Sequence, residues 1–490
     1  MGLGTSRDPR TEAGLQRSTT PGSPIRTIAL LALLSRLVPL VLLHLFPIGT
    51  FDASASLLSP PTPSGISLTP LTTYTPPTLR WDAIHFATIA LQGYTFEQQL
   101  AFQPGWPLVM RIAGDGVCWA RRLFAGLETD DSSLTSNDVV LGGVIAANAA
   151  FVGATIMLYK LTSRLASPSF AKLTTYLYLL PPTPAVLSSP YTEPLYALFT
   201  FTGFFLAITK RYLLSGLVLG LATSVRATGI FGVGVLGWII LFDLSAPNAT
   251  SLRPSRLLRR STTALLPCAL VLAPFLLFQW YAYASFCHSA KTSRPWCNAR
   301  PPVPYSFVQR EYWNMGILEY WTPAQLPNFL IAAPVLLVSL IPSFVYLRQT
   351  LSPVFAQDKT QPVPHTYPRS KSSAPFPPHA APALLPFHIH HLALTLLLIF
   401  ASHTQISLRV IAGDPVVWWN VSAMAFRWTG APPSPAPRET RAPRVPPGIT
   451  SRGNGGDEAG MTGWGKAWVW WSVLWGAASI VLWAGYYPPA

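Results

Sequence analysis

Nine apolar segments, separated by polar stretches, constrain the fold of this chain more than any other feature. The first runs from Ile28 to Phe46 and has about the length that crosses a bilayer as one helix. The others lie at 139–159, 173–189, 192–209, 213–242, 264–284, 329–347, 384–401 and 464–484. Only 11% of the residues are charged and 50% are hydrophobic, a balance typical of membrane proteins. The sequence therefore predicts an all-α polytopic membrane protein.

The segment 213–242 is long for a single crossing and contains Arg226 near its middle. Clusters of Lys and Arg lie before it and after it, and such clusters prefer the cytoplasmic side of a membrane. An even number of crossings between them satisfies this preference. We therefore expect two short helices with Arg226 at the turn, which brings the total to roughly ten. The clusters placed on the cytoplasmic side are Lys160, Arg164 and Lys172; Lys210 and Arg211; Arg253, Arg256, Arg259 and Arg260; and Arg348, Lys359, Arg369 and Lys371.

The same rule divides the chain into regions. We expect a cytoplasmic N-terminal tail (1–27), a multi-span core (28–420) whose first luminal loop is 47–138, a Pro/Arg/Gly-rich luminal insertion (421–463), and a last transmembrane helix with a tail (464–490). Residues 402–463 are thereby placed on the same face as the first luminal loop. The formal net charge of +15 is attributed to the cytoplasmic loops, so a nucleic-acid partner is not expected.

The first luminal loop contains the segment 80–86, RWDAIHF, which concentrates charge and aromatic surface. Asp82 is the candidate catalytic base, because a carboxylate there can accept a proton from an acceptor hydroxyl. Arg80 and His85 can bind a phosphate or orient that carboxylate. If the segment is helical, Asp82 shares a face with His85 and Phe86. The alternative is a helix start at which Asp82 is stabilised by the helix dipole.

Other ionisable residues at the edges of apolar segments are candidates for substrate binding. Glu193 and Arg226 can form a structural pair, or Arg226 can receive a lipid-linked phosphate. Arg409 follows another crossing and is a second phosphate candidate. The segment 304–316, which includes Trp313 and Asn314, is rich in aromatic and amide groups that suit a sugar, although aromatic residues also anchor helices at the membrane surface.

Three further features have simpler interpretations. His388, His390 and His391 are expected to be solvated residues at the membrane surface rather than metal ligands, and no metal or cofactor is expected. Cys287 and Cys297 flank a polar loop and are either a disulfide or two free thiols. The glycosylation motif at Asn420 is expected to face the lumen, whereas the motif at Asn248 is expected to be cytoplasmic and unmodified.

Several separated motifs, in the same order along the chain, resemble the GPI mannosyltransferase 2 family. In the first luminal loop they are RWDAIHF (80–86), which includes Trp81; Gly93-Tyr94; and AFQPGWPL (101–108), which includes Gln103. The later ones are Tyr191-Thr192-Glu193, SVRATG (224–229), YWNMG (312–316), Tyr320-Trp321, Pro327-Asn328-Phe329 and QISLR (405–409), which includes Gln405. The match extends discontinuously from about residue 28 to 420.

The resemblance implies a GT-C-type glycosyltransferase of the endoplasmic reticulum membrane with a luminal active site and luminal loop helices. Its donor would be dolichyl phosphate mannose, and its acceptor a mannosyl-glucosaminyl-phosphatidylinositol lipid, the GPI precursor, joined through an α-1,6 bond. A β-linked donor and an α product imply an inverting single displacement, with Asp82 as base and Arg226 or Arg409 stabilising the leaving phosphate. Trp81, His85 and Phe86 would shape the sugar pocket, while Arg80 braces the loop.

The resemblance also suggests a small membrane partner subunit in fungi. There are two alternative functions. One is a different membrane glycosyltransferase that uses dolichol-linked sugars, and the other is a lipid or sugar transporter. A transporter would require inverted repeats or matched broken helices, and the sequence contains only one interrupted segment, 213–242.

Overall fold

The computed structural model describes residues 24–45, 76–125, 133–242, 254–287, 294–355, 382–425 and 461–487. Every regular element of appreciable length in these ranges is a helix, which confirms the predicted all-α fold. Five helices are long and apolar enough to cross a membrane: Pro24–Leu45, Ser136–Leu165, Pro254–Cys287, Pro323–Leu351 and Gly463–Ala484. Four shorter apolar helices accompany them: Glu193–Ile208, Tyr212–Val225, Ala227–Phe242 and Leu385–Phe400. The protein is a multi-pass membrane protein.

The α-helices are numbered in chain order. The first eight are α1 (Pro24–Leu45), α2 (Asp82–Gln92), α3 (Gly105–Ala125), α4 (Ser136–Leu165), α5 (Pro168–Tyr178), α6 (Pro184–Ser188), α7 (Glu193–Ile208) and α8 (Tyr212–Val225). The rest are α9 (Gly232–Phe242), α10 (Pro254–Cys287), α11 (Pro304–Trp313), α12 (Leu326–Phe355), α13 (Leu385–Phe400), α14 (Ser407–Val410), α15 (Pro415–Ala425) and α16 (Gly463–Ala484).

The segment 213–242 forms two helices, as the charge pattern predicts. Helix α8 ends at Val225, Arg226 is extended, and a 3₁₀ turn (Ala227–Phe231) leads into α9. Gly229 in this turn lies against the backbone of Thr223, where a Cβ atom would be only 2.5 Å from the Thr223 nitrogen. The turn therefore depends on glycine to bring its backbone against α8.

A proline-rich break separates α5 from α6 and explains the buried cation Arg36 in α1. Prolines at 181, 182 and 184 lack the amide hydrogens that would continue the helix, so nearby carbonyls lose their partners. The Arg36 guanidinium donates to the carbonyls of Leu179 and Pro184, each at 3.4 Å, and lies 4.1 Å from the centre of the Phe151 ring. A charge that is costly within a membrane is thus used to satisfy backbone groups.

Residues 404–425 form a second interrupted helical segment. Three short turns (Thr404–Ile406, Ser407–Val410 and Ile411–Gly413) precede α15, and Asp414 lies at the junction. One oxygen of Asp414 accepts the amide hydrogen of Val416 at 2.9 Å, and the other is 2.9 Å from Nδ1 of His391. This carboxylate links the start of α15 to α13.

Two predictions for this region are wrong. His388, His390 and His391 are buried rather than solvated: His388 pairs with Ser343, and the other two lie beside Asp414. Asn420 is only 4% exposed, and its amide donates to the Val338 carbonyl and the Ser343 hydroxyl, each at 3.0 Å, so it cannot accept a glycan in this fold. Asn248 lies outside the described residues.

The two ends of the undescribed stretch 426–460 lie together at one end of the bundle. The Thr462 amide donates to the Ala425 carbonyl at 3.0 Å, and the indole of Trp419 donates to Thr162, near the end of α4, at 2.9 Å. At the other end of α16, the Trp483 carbonyl accepts a hydrogen bond from Arg80, beside Asp82. This differs from the expectation that 402–463 lies wholly on the face of Asp82. Helix α15 runs away from Asp82, and its last residue, Ala425, lies at the opposite end of the bundle.

A polar cluster around Glu97 joins the loops at the Asp82 end of the bundle. Its carboxylate accepts hydrogen bonds from Arg294 and Tyr312, each at 3.1 Å, and from the indole of Trp296. Cys287 and Cys297 form a disulfide in the same region. These links hold the segment 294–313 against the turn at 97–101.

Removing this disulfide should loosen the segment 294–313. The bond closes a loop with a sequence separation of 10, for which chain entropy accounts for about 3 kcal/mol of stability. We expect the double variant Cys287→Ser/Cys297→Ser to be cleaved faster in this loop by a low dose of trypsin. Cys268→Ser, which removes a free thiol, is the control. Equal cleavage rates in the two variants would show that the Glu97 cluster alone holds the loop.

Candidate active site

Four charged side chains from distant parts of the sequence meet where the short helices α7, α8 and α9 end or begin. Nη1 of Arg409 is 2.8 Å from Oδ2 of Asp82, and Nη1 of Arg226 is 2.7 Å from Oε1 of Glu193. The same Glu193 oxygen lies 3.8 Å from Nε of Arg409, which links the two pairs. Two arginines thus offset two carboxylates within one network.

A cavity of about 550 Å³ opens beside this network. The segments 315–317 and 397–398 contribute apolar parts of its wall, so polar and apolar surface face the same space. Eight residues that the sequence identified as candidates line it: Trp81, Asp82, Phe86, Gln103, Arg226, Trp313, Gln405 and Arg409. A cavity of this character suits a ligand with a sugar at one end and a lipid at the other.

Four other candidates do not line the cavity. Glu193 is 2% exposed and lies behind the two arginines. His85 stacks on Phe102 with ring centres 5.3 Å apart, behind the wall. Arg80 points away from the cavity toward α16, so the phosphate-binding role considered for it does not fit its position. Asn314 ends α11 in a left-handed conformation, with φ of 48°, and is exposed.

Two histidines near the cavity are held neutral by their surroundings. Burial lowers the pKa of His85, and the nearby Asp82 opposes this only in part. Burial also lowers the pKa of His403, which lines the cavity. Each imidazole therefore offers one donor and one acceptor at neutral pH rather than a positive charge.

Gln103 has a different kind of environment. Its side chain is 2% exposed and forms part of the cavity wall, yet neither Oε1 nor Nε2 has a hydrogen-bond partner among the described residues. Buried amides are nearly always paired in folded proteins. An unpaired amide at a cavity wall is therefore suited to the hydroxyl groups of a sugar.

Sequence reasoning missed several residues that complete the site. Tyr191 donates its hydroxyl to the Arg80 carbonyl at 2.8 Å, and its ring lies 5.5 Å from the Arg409 guanidinium. Thr192 accepts a hydrogen bond from Arg226 at 2.9 Å. Their position directly before Glu193 was the available signal. Tyr305, at the start of α11 within the segment 304–316, and His403 also line the cavity.

A family model described as Mannosyltransferase (PIG-V) matches residues 25–490. The chain belongs to the PIG-V mannosyltransferase family. The matched range contains every residue of the charged network and of the cavity wall. The match also includes the last helix, α16, and the stretch 426–460 that precedes it.

Curated relatives support the same membership along most of their length. A Cryptococcus neoformans protein named GPI mannosyltransferase 2 is 41% identical over 483 residues, which cover 96% of this chain and 99% of the relative. A Rattus norvegicus protein named GPI alpha-1,6-mannosyltransferase 2 is 30% identical over 414 residues, covering 78% of this chain and 81% of the relative. A Yarrowia lipolytica GPI mannosyltransferase 2 is 29% identical, covering 71% and 80%. No solved structure matches the chain.

Proposed function

We propose that the protein uses this cavity to transfer the second mannose of the GPI anchor, in α-1,6 linkage. The donor is dolichyl phosphate mannose, and the acceptor is a mannosyl-glucosaminyl-phosphatidylinositol lipid. Mannose transfer in GPI synthesis is the activity of the family, and its relatives are named for it. The observation that carries the chemical proposal is the Asp82–Arg409 pair at the cavity wall, 2.8 Å apart. A carboxylate that can accept a proton, next to a cation that suits a phosphate, supports this proposal.

The transfer is a single displacement. The acceptor hydroxyl oxygen forms a bond to the anomeric carbon of mannose, and its proton passes to the Asp82 carboxylate. The bond between that carbon and the phosphate oxygen breaks, and its electron pair leaves with the phosphate. Arg409 stabilises the charge that develops on the phosphate. Gln103 hydrogen-bonds to hydroxyl groups of the sugar.

Glu193 and Arg226 act on Arg409 through charge and position. Glu193 is buried between the two guanidinium groups and limits the directions in which Arg409 can turn. Arg226 lines the cavity and remains a second contact for the phosphate. Fixed charges of this kind stabilise a transition state without rearranging during the reaction.

We further propose that the protein lies in the endoplasmic reticulum membrane with its cavity facing the lumen. Basic residues gather at the ends of helices remote from the cavity: Lys160 and Arg164 in α4, Lys210 and Arg211 between α7 and α8, Arg256, Arg259 and Arg260 in α10, and Arg348 in α12. The positive-inside rule supports a cytoplasmic position for these ends. Counting the interrupted segments 168–188 and 404–425 with the nine apolar helices among the described residues, we propose eleven crossings, with Ala425 and Thr462 at the cytoplasmic face.

The orientation can be tested with engineered glycosylation motifs. A motif placed within 50–70 should be glycosylated in microsomes, and one placed within 435–455 should not. Glycosylation of the second motif, or no glycosylation of the first motif in a folded protein, would show that the orientation is the reverse.

The activity can be tested by depletion and by reconstitution. Cells that lose the protein should accumulate the singly mannosylated GPI precursor, and the purified protein should convert that lipid when given dolichyl phosphate mannose. A different accumulated glycan would assign the site to another dolichol-linked-sugar pathway. Movement of the GPI precursor across the membrane, without transfer of mannose, would indicate that the protein is a transporter.

A Gln103→Leu variant should separate sugar binding from folding. Leucine has a similar size and removes the unpaired amide, so stability should not fall. Loss of hydrogen bonds to the sugar should lower kcat/KM about 10- to 100-fold. The measurement is steady-state transfer with varied donor, together with a thermal melt. Gln92→Leu, at the exposed end of α2, is the control, and equal kcat/KM in both variants would remove Gln103 from the site.

A further inference from the structure

The end of the last helix, α16, contacts the short segment that leads into Asp82. The indole of Trp483 donates to the Pro77 carbonyl at 3.0 Å, and the hydroxyl of Tyr486 donates to the Leu79 carbonyl at 3.1 Å. In the opposite direction, Arg80 donates to the carbonyls of Trp483 and Ala484, each at 3.1 Å. The contacts join residues about 400 positions apart in the sequence.

The contacts with Arg80 use both its charge and its shape. The carbonyl groups at the end of a helix carry partial negative charge and lack partners within the helix. Arg80 satisfies two of them at the end of α16, and its guanidinium lies 4.0 Å from the centre of the Tyr486 ring. Burial lowers the pKa of Arg80, while the two tyrosines Tyr486 and Tyr191 oppose this effect.

Trp81, the residue directly before Asp82, adopts a backbone conformation that needs support. Its φ of 43° lies in the left-handed region, which a bulky residue rarely occupies. Its ring meets Trp483 edge to face at 4.9 Å and Tyr486 at 6.0 Å. Strained conformations of this kind persist only where the surrounding structure holds them.

We propose that Trp483 and Tyr486 are positioning residues for the transfer reaction, which hold the backbone of 77–81 so that Asp82 faces the cavity. This inference rests on the proposed role of Asp82. Neither residue lines the cavity, so their effect passes through Trp81 and the backbone carbonyls. The end of α16 and the turn that follows it therefore position the candidate base, although they contribute no group to the cavity wall.

The test compares graded variants in the full-length protein. Tyr486→Phe keeps the ring but loses the hydroxyl that donates to the Leu79 carbonyl, and we expect kcat to fall about fivefold. Trp483→Phe should lower kcat to a similar extent, and Trp483→Ala about 100-fold, because a small displacement of a catalytic group is costly. KM for both lipids should stay within twofold. Tyr487→Phe, at a neighbouring tyrosine that is 45% exposed, is the control.

A second measurement keeps this inference separate from the role of Asp82. Amide hydrogen exchange of a peptide covering 77–86 should become faster in Trp483→Phe and Tyr486→Phe, but not in Tyr487→Phe. Unchanged kcat or unchanged exchange in both conservative variants would overturn the positioning role, even if Asp82 proves to be the base. Faster exchange and lower kcat, with full activity in Asp82→Asn, would overturn the proposed base and leave the support of 77–81 by α16 in place.

Discussion

An Asp82→Asn variant should lose mannose transfer by about 1,000-fold while remaining folded in the membrane. Asparagine has the shape of aspartate and can still accept a hydrogen bond from Arg409, but it cannot take up the proton of the acceptor hydroxyl. The loss should appear in kcat, with little change in KM. The measurement is transfer of labelled mannose from dolichyl phosphate mannose to the singly mannosylated precursor in detergent.

Asp115→Asn is the matched control for this experiment. Asp115 pairs with Arg111 at 3.6 Å on the exposed face of α3, so the same chemical change there should leave transfer unaltered. A thermal melt shows whether Asp82→Asn folds like the parent protein. Near-normal kcat in a folded Asp82→Asn protein would rule out Asp82 as the base.

A Glu193→Gln variant should lose stability as well as activity. Glu193 is buried against two arginines, and removing its charge leaves their positive charges facing one another with only Asp82 to offset them. Breaking a buried ion pair from one side typically destabilises a protein by 3–5 kcal/mol, and we expect about this loss here. The measurement is the midpoint of thermal or denaturant unfolding in detergent, followed by the transfer assay.

Two further variants test the reason for this loss. Glu311→Gln, an exposed change of the same type in α11, should leave the unfolding midpoint unaltered. The double variant Glu193→Gln/Arg226→Gln removes one charge of each sign and should recover part of the lost stability. Its activity should stay low, because Arg226 lines the cavity. No recovery in the double variant would mean that Glu193 stabilises the fold through contacts other than its charge.

The parts of the fold that sequence could predict are those determined by local composition. The two helices within 213–242 follow from segment length and from the charges on either side. Glu193, Arg226 and Arg409 were identifiable because an ionisable group beside an apolar run is rare, and Asp82 because the segment 80–86 concentrates charge and aromatic surface. Their ion pairs bring together residues up to about 330 positions apart, and no local pattern specifies which partner each one has.

The parts that sequence could not predict depend on such distant partners. The segment 404–425 lacks a long apolar run and contains Asp414, so its sequence resembles a polar loop. Only the structure shows that buried histidines of α13 pair with Asp414. For Arg80 the sequence left phosphate binding and bracing of the loop as alternatives, because nothing near it in the sequence shows that carbonyls of α16 accept its hydrogen bonds. Asn420 matches a glycosylation motif, but its burial depends on α12.

The equal number of arginines and carboxylates in the network has a consequence for how one reaction cycle ends. The phosphodiester donor proposed above would bring one negative charge to a network whose two arginines and two carboxylates offset each other. During transfer, the proton that neutralises Asp82 matches the second negative charge that appears on the departing lipid phosphate, so the total charge stays constant. Asp82 must then lose that proton before it can serve again, and the departing phosphate is a base that can carry it. Release of the spent lipid and recovery of the base are therefore expected to be coupled steps.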